Sequence, residues 1–112
     1  MEIIAYTKYL KVSPRKLRLV ANAVSHLSIS LAISQLSLFD KEAAKPTLLT
    51  LKSALANALK NNSLEEKALK IKSIIVEEGA RIKRMDKSHG ARFARGIKQK
   101  RMSHIKVVLE TK

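Results

Sequence analysis

The chain has 112 residues, with 23 Lys and Arg against 9 Asp and Glu, a net charge of +14 and a pI near 10.4. One domain is the expectation at this length, and a chain this basic repels itself unless a polyanion neutralises it: nucleic acid first, an anionic membrane surface second. The absence of Cys excludes disulfides and thiolate metal sites, and 4% aromatic residues are too few for ring stacking to be the main hold on a nucleic acid.

Met1 to Leu10 carries Glu2 and scattered polar residues instead of an apolar run after a basic flank, so no targeting segment is expected. The apolar stretches fall far short of the roughly 20 residues that span a membrane. Ile3 to Val12 is rich in β-type residues and predicts a short strand, with Ile4, Tyr6 and Lys8 on one face and Ile3, Ala5 and Thr7 on the other. Ser13-Pro14 is a helix start, a capping hydroxyl followed by proline at the first helical position. Leu17, Val20, Ala21 and Val24 continue it as an apolar stripe over about Pro14 to Leu27. Arg15, Lys16 and Arg18 crowd its first turn, where the helix dipole favours acids. That misfit makes sense if phosphate sits there.

Ser28 and Ser30 are caps for a second short helix with Ile29, Ala32, Ile33 and Leu36 on its face. Asp40 is a cap for a third helix reaching about Asn61, with Ala44, Leu48, Leu51, Leu55 and Ala58 as its stripe. Pro46 conflicts with a helix begun at Lys41, so the helix either kinks there or starts later. Leu69 to Glu78 alternates partly, with Leu69, Ile71 and Ile75 against Lys70 and Lys72. Ser103 to Glu110 alternates cleanly, with Ile105, Val107 and Leu109 against His104, Lys106 and Glu110. Both predict strands.

The charge is uneven along this order. In residues 1–20, five Lys and Arg against Glu2 give +4; in 21–80, seven Lys against six acids give +1; in 81–112, eleven Lys and Arg against Asp86 and Glu110 give +9. The middle is an ordinary near-neutral body and the ends are cationic. The stretch from Arg81 to Arg101 holds Arg81, Lys83, Arg84, Lys87, Arg92, Arg95, Lys98, Lys100 and Arg101 with one acid. Its apolar residues form no stripe, so it cannot fold around its own core. It is either a disordered basic loop or a long hairpin, and the strands on both sides favour the hairpin. Two arms of roughly 15 residues would reach on the order of 50 Å at about 3.3 Å per residue.

Other chemistries find little support. His26, His89 and His104 are far apart in sequence and lack nearby Cys or paired carboxylates, so no metal, cofactor or catalytic group is expected. Ser103 and His104 are neighbours on a strand and point to opposite faces. Glu77-Glu78 reads as a strand end before Gly79. A DNA-bending protein with basic arms and Phe93 as a wedge is the competing function. The basic stretch has no wide apolar helical face of the kind that lies on membranes.

Five strings in order resemble one family, the large-subunit ribosomal proteins numbered twenty-two. They are Ser13-Pro14-Arg15-Lys16 with Arg18 and Val20; Lys52-Ser53-Ala54-Leu55-Ala56-Asn57-Ala58; Val76-Glu77-Glu78-Gly79; Lys83-Arg84; and Lys100-Arg101-Met102-Ser103-His104-Ile105 with Val107. The resemblance implies a non-enzymatic α+β protein: three helices on a small antiparallel three-stranded sheet, with a body at about 1–80 and 103–112 and a long basic hairpin at about 81–102. It implies rRNA contacts by Arg15, Lys16, Arg18, Lys83, Arg84, Lys100, Arg101, Ser103 and His104. The remaining cations near these motifs, Lys8, Lys11, Arg81, Lys87, Arg92, Arg95 and Lys98, extend the expected rRNA-binding set.

The resemblance also implies a hairpin tip facing the nascent-peptide tunnel, here Met85, Asp86, Lys87, Ser88, His89, Gly90 and Ala91. The tip departs from the family's pattern: its Pro-Arg-Ala lacks a counterpart and the span is about two residues longer. The implied partners are 23S-type large-subunit rRNA, neighbouring large-subunit proteins and the nascent peptide, with no membrane and no homo-oligomer. The implied location is a cytoplasmic ribosome of bacterial type, or an organelle ribosome.

Overall fold

Ile105, Val107 and Leu109 have no exposed surface, and the strand that carries them is the middle of the molecule. The computed structural model describes residues 1–88 and 96–112. The elements are β1 (Glu2–Leu10), α1 (Pro14–Val24), α2 (Ile29–Leu38), α3 (Ala44–Asn61), a single 3₁₀ turn (Glu66–Ala68), β2 (Leu69–Met85) and β3 (Ile97–Thr111). The strands form one antiparallel sheet in the order β1-β3-β2. All three helices cover one face; the other is open. The architecture is the α+β one expected from the sequence.

Residues on the covered face alternate as a half-buried sheet requires. Ile3 and Ala5 on β1 face the helices, and Ile105, Val107 and Leu109 meet them from β3. On β2 the alternation changes parity. Ile71 pairs with Leu109, but Ser73 pairs with Val108, so Lys72 is an extra residue in a β-bulge. Leu69 and Ile71 therefore face the core before the bulge, and Val76 faces it after. Ile75, expected on the same face as Ile71, is turned to the open side and is exposed. The bulge is why the alternation of this segment is only partial in sequence.

Helix α1 begins as its residues predict. Ser13 is extended, its Oγ accepts from the Lys16 N–H at 3.5 Å, and Pro14 opens the helix. Pro14, Leu17, Val20, Ala21 and Val24 are buried. The helix ends at Val24 rather than Leu27, whose N–H closes a last turn on the Val24 carbonyl at 3.1 Å. Ser28 precedes α2 as expected and its carbonyl accepts from Ala32 N–H at 2.8 Å, but its side chain makes no cap.

Helix α3 starts at Ala44, not after Asp40. The start puts Pro46 in the first turn, where a missing N–H leaves no intrahelical bond unmade. This resolves the Pro46 conflict in favour of a late start. The inward face is rotated slightly from the expected stripe. Ala44, Thr47, Thr50, Leu51, Ala54 and Ala58 are buried, while Leu48 and Leu55 pack at the margin. Thr47 and Thr50 satisfy their hydroxyls by donating to the Ala43 and Pro46 carbonyls at 2.8 and 2.9 Å. The small residues Ala54 and Ala58 let α3 lie close to β1, where Asn57 Nδ2 donates to the Ile4 carbonyl at 3.4 Å and the Thr7 and Thr50 hydroxyls meet at 2.9 Å.

Past Glu78 the pairing of β2 with β3 leaves the helices behind. A second bulge at Gly79 and Ala80 is followed by the pairs Arg81↔Arg101, Ile82↔Lys100, Lys83↔Gln99, Arg84↔Lys98 and Met85↔Ile97. The Asp86 N–H donates to the Gly96 carbonyl at 3.0 Å beyond them. All ten side chains of those pairs are exposed. The sheet thus runs out as a hairpin, and the molecule measures 60 × 25 × 17 Å with a radius of gyration of 17.4 Å. A compact chain of this length would have about 13 Å. The strands have 17 and 15 residues, close to the arm length expected, but the first half of β2 and the last half of β3 belong to the body, so the projecting part is shorter than the roughly 50 Å estimated from whole arms.

Candidate nucleic-acid interface

A ladder without a core needs another reason to persist. Cross-strand neighbours on the same face normally supply it, and like charges directly opposite each other subtract from it. In the hairpin, Arg81 faces Arg101 and Arg84 faces Lys98. Two acids offset part of this: Glu78 reaches Arg81 at 3.4 Å, and Asp86 reaches Lys98 at 3.6 Å. Among the described residues, Lys83, Arg84, Lys100 and Arg101 form no ion pair; the Arg84 guanidinium instead donates to the Lys83 carbonyl at 2.8 Å. The hairpin is therefore a cation-dense surface on both faces.

At its root the fold collects cations from distant parts of the sequence. Pro14, Arg15 and Arg18 of α1, Glu78, Gly79 and Arg81 of β2, and Arg101 and Met102 of β3 line one hollow of about 70 Å³. Lys11, Val12, Ser13, Lys16, Glu42, Gln99, Lys100 and Arg101 line a second of about 200 Å³. Arg101 stands between the two. Arg18 is fixed toward β2 by donating from Nη2 to the Val76 carbonyl at 3.2 Å. Arg15 and Lys16 are exposed at the positive end of the α1 dipole. Two separate cationic strings of the sequence thus form one continuous surface. Gln99, which composition did not single out, joins it and accepts from Arg81 Nη1 at 3.5 Å.

At Gly79 the backbone of β2 passes close to β3. A Cβ there would lie 3.0 Å from the Met102 carbonyl carbon, 3.1 Å from its oxygen and 3.2 Å from His104 Cε1. A side chain at this bulge would push the root of the hairpin apart.

Ser103 and His104 do point to opposite faces. His104 lies on the open face, where its Nδ1 accepts from the Tyr9 N–H at 3.0 Å. Ser103 is fully buried and donates to the Val12 carbonyl at 2.8 Å. Strand alternation turns Ser103 inward, and its hydroxyl is used to hold the turn before α1. Lys8 lies on the edge strand, with Nζ 5.3 Å from the Tyr6 ring centroid.

Toward the tip, Met85, Asp86, Lys87 and Ser88 are described. Asp86 Oδ1 accepts from both the hydroxyl (2.5 Å) and the N–H (2.9 Å) of Ser88. These bonds, and then the Lys98 ammonium, hold the Asp86 carboxyl below its ordinary range. His89, Gly90, Ala91, Arg92 and Arg95, and the wedge candidate Phe93, lie outside the described residues. Among the described residues, no helix is long and apolar enough to cross a membrane.

The family model for ribosomal protein L22p/L17e matches residues 5–110. The large ribosomal subunit protein uL22 of Mycoplasma capricolum is 39% identical over 110 residues, 97% of this chain and 96% of that protein. The uL22 of Petrotoga mobilis is 42% identical over 113 residues, all of this chain and 74% of the relative. That of Syntrophus aciditrophicus is 39% identical over 112 residues and the full length of both. With its sheet, helices and basic hairpin in place, and this match along nearly its whole length, the chain belongs to the ribosomal protein L22p/L17e family.

Proposed function

We propose that this protein is a structural constituent of the large ribosomal subunit, in which it binds large-subunit rRNA and supports subunit assembly and translation. The hairpin of β2 and β3 lies along the nascent-peptide exit tunnel with residues 85–91 toward its lumen. The observation that carries the reading is the pairing of Arg81 with Arg101 and of Arg84 with Lys98 in a ladder with no apolar interior. Such a ladder opposes its own formation in water and is relieved when phosphates surround it.

Arg15, Lys16, Arg18, Arg81, Lys83, Arg84, Lys98, Lys100 and Arg101 contact the phosphate backbone, joined by Lys8 and Lys11 from the N-terminal strand and turn, by Lys87 near the tip, and by Arg92 and Arg95. Arg forks fix register by holding two phosphate oxygens at once. Folded RNA is recognised mainly by shape and by backbone contacts, and a thin two-stranded arm suits insertion between RNA segments. The protein also meets neighbouring large-subunit proteins.

Co-sedimentation tests the role. The tagged protein is expected to stay with large subunits through a high-salt wash in cells. Recovery in the ribosome-free fraction would count against it.

A further inference from the structure

The open face of the sheet carries a second feature that phosphate binding does not use. Tyr9 has φ +58 inside a strand, in a bulge where Lys8 and Tyr9 together oppose His104. The other described non-glycine residue at positive φ, Ser63, follows the C-terminal end of α3, where that conformation is routine. In a strand it costs energy, and bulges re-aim side chains. Here the bulge delivers the Tyr9 ring to His104, edge to face at 89° with centroids 5.1 Å apart.

Tyr6 completes the group, its centroid 6.2 Å from His104. Two of the three rings, Tyr6 and His104, are held by a polar handle. The Tyr6 hydroxyl donates to Glu77 at 2.7 Å, and His104 Nδ1 accepts from the Tyr9 backbone, which leaves the proton of the neutral imidazole on Nε2. Tyr9 is nevertheless 61% exposed and Tyr6 40%. Lys8 lies over Tyr6, and Lys106 pairs with Tyr6 across the ladder. Among the described residues, the acid bonded to the group is Glu77, and it is engaged by the Tyr6 hydroxyl.

We propose that Tyr6, Tyr9 and His104 form a platform for an unpaired RNA base, with Lys8 and Lys106 holding the flanking phosphates. This deepens the RNA-binding reading and rests on it. Rigid, half-exposed rings beside cations are what sequence-tolerant stacking needs. The platform is continuous with the basic root of the hairpin through His104 and Gly79, so one strand could cross from phosphate contacts to a stacked base.

The test uses the full chain and a short single-stranded oligoadenylate RNA bearing one 2-aminopurine. Wild type and Tyr9→Phe should quench the fluorophore on saturation. Tyr9→Leu should bind about tenfold more weakly, with less quenching and an unchanged salt slope. Ring-proton resonances of Tyr6 and Tyr9 in the wild-type chain should shift upfield as RNA is added, a readout independent of the folding of any variant. Salt-sensitive binding with neither quenching nor ring shifts overturns the platform alone, as it would if another protein covered these rings. No binding by wild type at low salt overturns the RNA reading as well.

Discussion

The Ser103 hydroxyl donates to the Val12 carbonyl at 2.8 Å across 91 positions of sequence, in a site closed to solvent. This bond ties the central strand to the turn that launches α1, and so fixes Arg15, Lys16 and Arg18 relative to Arg101. Ser103→Ala leaves a carbonyl without its partner and should cost about 1–3 kcal/mol. Urea unfolding is the measurement. An unchanged midpoint would show that the bond does not hold the turn.

Leu51 is fully buried at the centre of α3. Leu51→Ala should cost roughly 2–5 kcal/mol through lost transfer energy and the cavity left behind. RNA affinity measured well below the melting temperature should change little, because Leu51 is buried and lines neither hollow at the hairpin root. A loss of affinity without a loss of stability would break that separation.

Gly79→Ala places a methyl group against the backbone of Met102 and the ring of His104. Neither neighbour is the free end of a flexible chain, so the bulge must shift. About 1–3 kcal/mol of destabilisation is expected, with amide chemical-shift changes centred on Met102 and His104. Changes confined to Gly79 itself would mean the root of the hairpin has room to spare.

Asp86 and Glu2 carry the acid-side pH dependence. Asp86 is held low by the Ser88 hydroxyl and N–H and then by Lys98, and Glu2 by its hydrogen bond and ion pair with Lys72. A carboxyl whose folded pKa is depressed adds stability above its unfolded pKa and loses it as pH falls through the folded value. These contributions should be intact at neutral pH and fade below about pH 4. Asp86→Asn should flatten that part of the stability profile. A profile identical to wild type would assign the acid sensitivity elsewhere.

Much of this was legible in the chain because a half-buried sheet leaves a period of two and a covered helix leaves one of about 3.6. Ser103 to Glu110 and the Ser13-Pro14 start of α1 both follow their patterns. The bulges did not show themselves, because an inserted residue reverses parity without any change in composition. Lys72 turned Ile75 outward in this way, and Lys8 and Tyr9 reshaped the end of β1. Asp40 resembled a cap, but the proline six residues on fits the first turn of a helix starting at Ala44. For the site, charge density located the hairpin and the α1 start separately. Their junction at Arg101 depends on tertiary packing and left no sequence signal. The inward turn of Ser103 left no signal either, because a family motif does not say which face of a strand a residue occupies.

Arg84→Ala and Arg101→Ala should each weaken rRNA binding and lower the slope of log affinity against log salt by about one. Arg101 should have the larger effect on affinity, since it borders both hollows at the hairpin root. Slopes unchanged in both variants would remove these side chains from the phosphate contacts.

Competition binding tests the central claim most directly: full-length protein, folded large-subunit rRNA and duplex DNA of matched phosphate concentration, titrated across salt. Preferential retention by the rRNA, persisting as salt rises, is the result expected of an arm shaped to enter folded RNA. Equal displacement by duplex DNA at every salt concentration would reduce the arm to a nonspecific polycation and contradict the account.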